Sequence, residues 1–228
     1  MNRPTSLLLG ALLLAGGCAS AHAASYIDQR RVDAVQGDVA AGAAKATVCV
    51  ACHGPNGNAI VPAFPRLAGQ RAEYLAGELH KFKRGTRPES PMTALAMPLT
   101  DEDIRNLAVY FAAQTHTPST LPPPDSQTLA RGEALYRQGD PARGAPPCQG
   151  CHGADATGPE AGAEHYRAWP SLRGQNGDYL VQRLQNYRDG KLKDSSNDFV
   201  MHGVAQTLDE PSMRALASYL SSLPPASR

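Results

Sequence analysis

Apolar residues recur along this chain at helical spacing, and no stretch shows the alternation of a strand. Leu75, Leu79 and Phe82 share one face of a segment from Arg71 to Arg84; Leu180, Leu184 and Tyr187 do the same between Asn176 and Arg188. Residues three and four apart lie together on a helix, so both segments predict amphipathic helices, each stopped by a glycine. An Ala-rich stretch from Val39 to Val48 predicts a helix leading into a cysteine pair, and Leu129 to Arg137 is its later counterpart. Thr100 with Asp103 three residues on forms the start signal of another helix. Asp209, with Pro211 in the first turn, does so for a last one.

The same elements occur twice. Cys49-Val50-Ala51-Cys52-His53-Gly54 returns 99 residues later as Cys148-Gln149-Gly150-Cys151-His152-Gly153. Phe64-Pro65-Arg66-Leu67-Ala68-Gly69-Gln70 returns at an offset of 105 as Trp169-Pro170-Ser171-Leu172-Arg173-Gly174-Gln175. Leu99, Ile104, Leu107 and Tyr110 return at 109 as Leu208, Met213, Leu216 and Tyr219. The rising offset marks loop insertions in the second half, which surface loops absorb at low cost. A repeat this long is a domain rather than a solenoid unit. The expected fold class is all-α: two homologous helical domains in tandem. They cover residues 24–117 and 127–228, joined by a stiff proline-rich linker over 118–126.

The start of the chain changes the setting. Asn2 and Arg3, the apolar run Leu7 to Ala15, and Ala21-His22-Ala23 form an export signal over residues 1–23. Cleavage before Ala24 is favoured over lipid attachment at Cys18, because Ala15 stands where a lipoprotein signal has Leu. The apolar run is too short to span a bilayer, and the expected location is the periplasm. With 22 basic and 21 acidic side chains, the net charge of +1 gives no reason to expect nucleic acid as a partner.

Four cysteines remain after Cys18, and two disulfides would be the default for an exported chain. Their spacing argues for different chemistry. A Cys-x-x-Cys-His run is the attachment signature of c-type haem: Cys49 and Cys52, and Cys148 and Cys151, would form thioethers to one haem each, with His53 and His152 as iron ligands. Gly54 and Gly153 let the backbone turn beside the site. A zinc ribbon would bring two such pairs within about 15 to 20 residues of each other, whereas 95 residues intervene here. A redox dithiol would expect a βαβ setting. The expected cofactors are therefore two covalently bound haem c groups.

The duplication also selects the sixth ligand, which is Met or a second His in such sites. At the offset of 109, Met92 lands on Met201, Met97 on Gln206, and Met213 on Ile104. Met92 and Met201 are thus the axial candidates. Met213 is assigned to the core, and Met97 to packing near the haem edge. His80, His116, His165 and His202 lack matched partners and are assigned to the surface. Pro65 and Pro170 are candidate carbonyl acceptors for the Nδ1–H groups of the ligand histidines, the alternative being prolines that only shape a turn. Phe64 and Trp169 are expected to pack on the haems. With both axial places filled, the chemistry is electron transfer rather than catalysis.

These motifs together resemble the dihaem cytochrome c4 family over nearly the whole mature chain. To the CxxCH and Pro-x-Leu-x-Gly-Gln blocks they add Met92-Thr93 before Pro98-Leu99-Thr100-Asp101-Glu102-Asp103, and Met201-His202-Gly203-Val204-Ala205 before Leu208. The resemblance implies two cytochrome c domains related by a pseudo-twofold axis, with haem propionates facing each other across the interface. It implies a periplasmic carrier, loosely membrane-associated and monomeric, passing electrons from a quinol-oxidising cytochrome complex to a terminal oxidase. The alternatives are a cytochrome subunit of a periplasmic dehydrogenase, a dihaem peroxidase, which needs an exchangeable sixth ligand, and a two-site zinc module.

Overall fold

The computed structural model describes residues 26–119, 122–159 and 162–226. The expected signal over 1–23, Cys18 and part of the linker lie outside the described residues. Among these residues ten α-helices form two sets of five, and extended pairing is confined to two isolated bridges.

The first set opens where Asp38 Oδ1 accepts the Ala40 and Ala41 N–H groups, which starts α1 (Val39–Lys45). The helix expected to reach Val48 tightens at Ala46 into a 3-10 turn, Ala46–Cys49, before α2 (Val50–His53). A 3-10 turn holds three residues rather than 3.6, so the cysteines leave the register of α1. Then come α3 (Ala72–Lys83), α4 (Pro91–Ala96) and α5 (Asp101–Ala112). The start of α5 carries the expected reciprocal cap: Asp103 N–H donates to Thr100 Oγ1 at 3.0 Å, and Thr100 N–H to Asp103 Oδ2 at 2.9 Å. The second set repeats the order as α6 (Ser126–Gln138), α7 (Gln149–His152), α8 (Gly177–Arg188), α9 (Ser196–Gln206) and α10 (Glu210–Ser222).

Each set has its own core. Ile104, Leu107, Ala108 and Phe111 of α5 pack on Leu75 and Ala76 of α3 and on Ala46. Met213, Leu216, Tyr219 and Leu220 of α10 pack on Leu135 and Tyr136 of α6 and Leu180 of α8. Met213 is fully buried, in the core place expected for it. In both sets the first helix crosses the last at a glycine. A Cβ on Gly42 would sit 2.1 Å from Asn106 O, and one on Gly132 2.1 Å from Ala215 O.

The halves meet through reciprocal contacts, the mark of an approximate twofold. Gln175 pairs with the backbone of Arg66, and Gln70 with the backbone of Ser171. Beside them lies a buried ionic cluster. Lys81 Nζ bridges Glu78 of its own helix, at 3.1 Å, and Asp198 of α9, at 2.8 Å. Arg87 and Arg183 reach the other Glu78 oxygen at 2.8 and 3.2 Å. Burial alone would raise the Glu78 carboxyl, but Arg183, Lys81 and Arg87 hold it below the ordinary carboxylate range. An N-terminal arm completes the contact: Ile27 N–H donates to Asp194 O at 2.8 Å, and Ser196 N–H to Ile27 O at 2.9 Å.

Candidate functional site

The two Cys-x-x-Cys-His runs lie on the one-turn helices α2 and α7. In each run the first cysteine is half-buried, the second exposed and the histidine buried. No disulfide joins these four cysteines. Burial raises the Cys49 and Cys151 thiols, and pushes Cys148 up to about 11. The glycine after each histidine turns the chain back on itself. A Cβ on Gly54 would lie 2.4 Å from Asn58 O, and one on Gly153 2.2 Å from Gly158 O. The close approach that needs glycine is thus to the chain's own backbone.

That turn brings a proline carbonyl to each ring. His53 Nδ1 lies 2.9 Å from Pro65 O, and His152 Nδ1 3.0 Å from Pro170 O. A carbonyl can only accept, so Nδ1 carries the proton and Nε2 keeps its lone pair. Burial lowers the pKa of both imidazoles, partly opposed by these bonds, which keeps the rings neutral. A neutral ring with a bare Nε2 is what a metal ligand requires.

In the second half Cys148, Cys151, His152, Trp169, Pro170 and Met201 line one cavity, walled by leucines of α8 and α10. Met201 packs beside Tyr187, Leu192 and Ala205. The cavity reaches the domain interface, where Tyr74, Glu78, Lys81 and Arg183 face it. In the first half Met92 is half-buried in the first turn of α4, whose start Pro91 allows. The Phe64 ring lies 6.3 Å from that of His53. Trp169 stacks on Tyr166 at 4.1 Å, and its Nε1–H donates to Asn197 Oδ1 at 3.0 Å.

Met97, after the last turn of α4, is 62% exposed among the protein atoms. One expectation needs correcting, the placing of the unmatched histidines at the surface. His116 is not a surface residue. It lies half-buried at the domain interface, where Arg66 Nη1 donates to its Nε2 at 2.7 Å. His202 is also half-buried, its Nδ1 2.6 Å from Tyr187 O.

The residues fit haem. Among the described residues no three or more His, Cys, Asp or Glu side chains converge as a metal site made by protein alone, which disfavours zinc. Paired thiols beside an imidazole, a thioether across an apolar cavity, and a buried cation suit a macrocycle with its own nitrogens and carboxylates. Arg183 Nη1 is buried without a partner, in the side chain that would meet such a carboxylate.

Fold and site together define a protein of two tandem c-type cytochrome domains. The cytochrome c family model matches residues 39–114 and 129–224. The chain is 43% identical to cytochrome c4 of Thiocapsa roseopersicina, over 82% of this chain and 93% of that one. It is 33% identical to a thiosulfate dehydrogenase electron acceptor of Thiomonas intermedia, over 81% and 82%. The crystal structure of reduced recombinant cytochrome c4 from Pseudomonas stutzeri superposes with a TM-score of 0.72 at 34% identity, covering 82% of this chain and all of that one. The chain belongs to the dihaem cytochrome c4 family. It is a dihaem electron-transfer cytochrome with covalently bound haem c at Cys49/Cys52 and at Cys148/Cys151, and its partners are redox proteins.

Proposed function

We propose that this protein is a monomeric periplasmic carrier. It takes single electrons from a quinol-oxidising cytochrome complex, passes them to a terminal oxidase, and associates at most loosely with a membrane. His53 and Met92 are the axial ligands in the first domain, His152 and Met201 in the second. The observation that carries the reading is the cavity shared by Cys148, Cys151, His152 and Met201, together with the recurrence of the same four residues in the first half.

Haem supplies a one-electron change between Fe(III) and Fe(II). The chain's own groups decide that nothing else happens there. Pro65 and Pro170 hold the rings in the tautomer that presents Nε2. Met92 and Met201 would fill the remaining position with a thioether, which would leave oxygen or peroxide no open place, and a soft sulfur would favour the reduced state. The described helices include none long and apolar enough to cross a membrane; the export signal over 1–23 is what supports the location.

Visible spectra of the exported protein test this. Two haems per chain, low-spin reduced bands and a weak Met–iron band are expected. Met92→Ala and Met201→Ala should each remove half of the Met–iron band and lower one of the two potentials. Carbon monoxide binding to the native reduced protein would argue for an open iron and overturn the assignment.

The likeness to a thiosulfate dehydrogenase electron acceptor favours a second reading, in which the chain serves as the acceptor of a periplasmic dehydrogenase. Co-purification with a large catalytic subunit separates the two.

A further inference from the structure

The interface contains a bond pattern that neither domain could make alone. Pro65 C=O and Arg66 N–H belong to one peptide group. Its oxygen lies 2.9 Å from His53 Nδ1, and its N–H donates to Gln175 Oε1 of the other domain at 2.7 Å. The second half repeats the arrangement. Pro170 C=O lies 3.0 Å from His152 Nδ1, and Ser171 N–H of the same peptide donates to Gln70 Oε1 at 2.9 Å. Each glutamine closes the ring with its amide: Gln175 Nε2–H donates to Arg66 O at 2.9 Å, Gln70 Nε2–H to Ser171 O at 2.8 Å. Both side chains are buried. Each Oε1 is further held by the N–H of the next residue, Arg71 or Asn176, at 2.9 Å. Each residue before those helices also grips the other half. Asn176 Nδ2–H reaches Phe64 O at 2.7 Å, and Arg71 Nε–H reaches Arg167 O at 2.8 Å.

We infer that Gln70 and Gln175 are positioning residues that tune the axial histidine of the opposite domain through one shared peptide group. The inference rests on His53 and His152 being the iron ligands. Hydrogen bonds in series polarise one another. A glutamine oxygen drawing on the peptide N–H makes the proline carbonyl a stronger acceptor for the imidazole N–H. A more strongly bonded Nδ1–H makes the ring a more basic ligand, and a more basic ligand stabilises Fe(III). Gln70 therefore lowers the potential on the His152 side, and Gln175 lowers it on the His53 side. Neither effect acts on the glutamine's own domain.

The test uses the haem-loaded full chain carrying Gln70→Met or Gln175→Met. Methionine keeps the volume and excludes water but offers Ser171 or Arg66 no comparable acceptor. Potentiometry and proton NMR of the reduced, diamagnetic form are read together, with each ring N–H assigned through contacts to its own domain. Gln70→Met should raise the potential of the second-domain haem and move the His152 Nδ1–H signal upfield, with the His53 signal unchanged. Gln175→Met should do the converse. Gln70→Glu keeps an oxygen for Ser171 N–H, and its second-domain potential should stay at or below the native value. This variant decides the matter if the methionine variants fail to accumulate, and a rise in it overturns the relay. A methionine variant that shifts its own domain, both domains alike or neither also overturns it. If two low-spin haems with Met–iron bands persist in such a variant, the carrier reading stands while the relay fails. If the native protein lacks those bands, the reading itself fails.

Discussion

Gly54 and Gly153 occupy backbone states that an L-residue all but never adopts, with φ and ψ of 72° and 170° and of 82° and 154°. A side chain there would also run into Asn58 O or Gly158 O, both backbone atoms. Tyr136 adds a lock in the second half, its hydroxyl donating to Gly153 O at 2.6 Å. Gly153→Ala should therefore cost more than the roughly 1–2 kcal/mol of a left-handed residue alone, and should misplace His152. Gly85 has a φ of 68° but open space around it, so Gly85→Ala should cost only that backbone term. Denaturant midpoints of the two haem-loaded variants make the comparison; equal losses would mean that crowding contributes nothing. At this scale the sequence was readable wherever chemistry is local. Two cysteines and a histidine in five residues declare themselves by spacing, and the duplication singles out Met92 and Met201 as the ligands proposed above. Gln70 and Gln175 stood at matched positions in plain view. Yet an amide states no preference for its partner, and theirs lies in the other domain. Tyr136 had no signal at all, because the matching place in the first half is not aromatic.

Among elements, helix-period patterns located α3 and α8 almost to the residue, because each buries one face in its own core, and cap signals at Thr100 and Asp209 placed the starts of α5 and α10. The short helices escaped. α4 is only six residues long, and α9 turns Val200, Met201 and Val204 toward a cavity, so no long apolar stripe marks either helix, though they carry the candidate methionines. The break between α1 and α2 falls at Ala46–Cys49, where the β-branched Thr47 and Val48 follow the alanine-rich run. The arm at Ile27 pairs with Asp194 and Ser196, a contact across the whole chain that no local pattern announces. The crossing of first and last helix makes a firm prediction. Gly42 and Gly132 let the backbones touch, and a methyl group would lie 2.1 Å from a carbonyl oxygen in either place. Alanine is the better helix former by about 1 kcal/mol. In an isolated peptide the change would stabilise. Here overpacking of about 1–3 kcal/mol should win, and Gly42→Ala and Gly132→Ala should both lower the melting temperature. A rise in either would show that the helices slide apart at no cost.

Over the whole molecule the two domains are joined by polar groups that each needs the other to satisfy. Glu78, Lys81, Arg87, Arg183 and Asp198 share one buried cluster, so parting the domains would strand charges, which costs several kcal/mol for each uncompensated pair. The junction also carries a group that titrates within the accessible pH range. Burial, and then the Arg66 guanidinium, push His116 down to about 4 from an ordinary value of 6.5, with Arg173 adding to this and the Gly174 backbone opposing it. Arg66 Nη1 donates to His116 Nε2, which is possible only while that nitrogen is bare. In the unfolded chain the ring takes its proton near pH 6.5, whereas in the folded one it waits until about pH 4. Between those values the unfolded state holds the extra proton, so stability must rise with pH there. The contribution is complete above pH 6.5, fades as the pH falls toward 4, and changes no further below that. Glu78, held low by its cations, begins to lose its contribution once the unfolded carboxyl takes its proton near its ordinary value of 4.5, at the lower edge of the His116 window, and does so alike whether or not residue 116 can titrate. His116→Gln keeps an acceptor for Arg66 but cannot titrate. Melting temperatures of the haem-loaded protein should fall more steeply with acid for the native chain than for this variant through the upper window, then run parallel below it. Parallel curves throughout would mean that His116 takes its proton equally easily in the folded and unfolded chains, and that Arg66 does not depend on it to hold the junction.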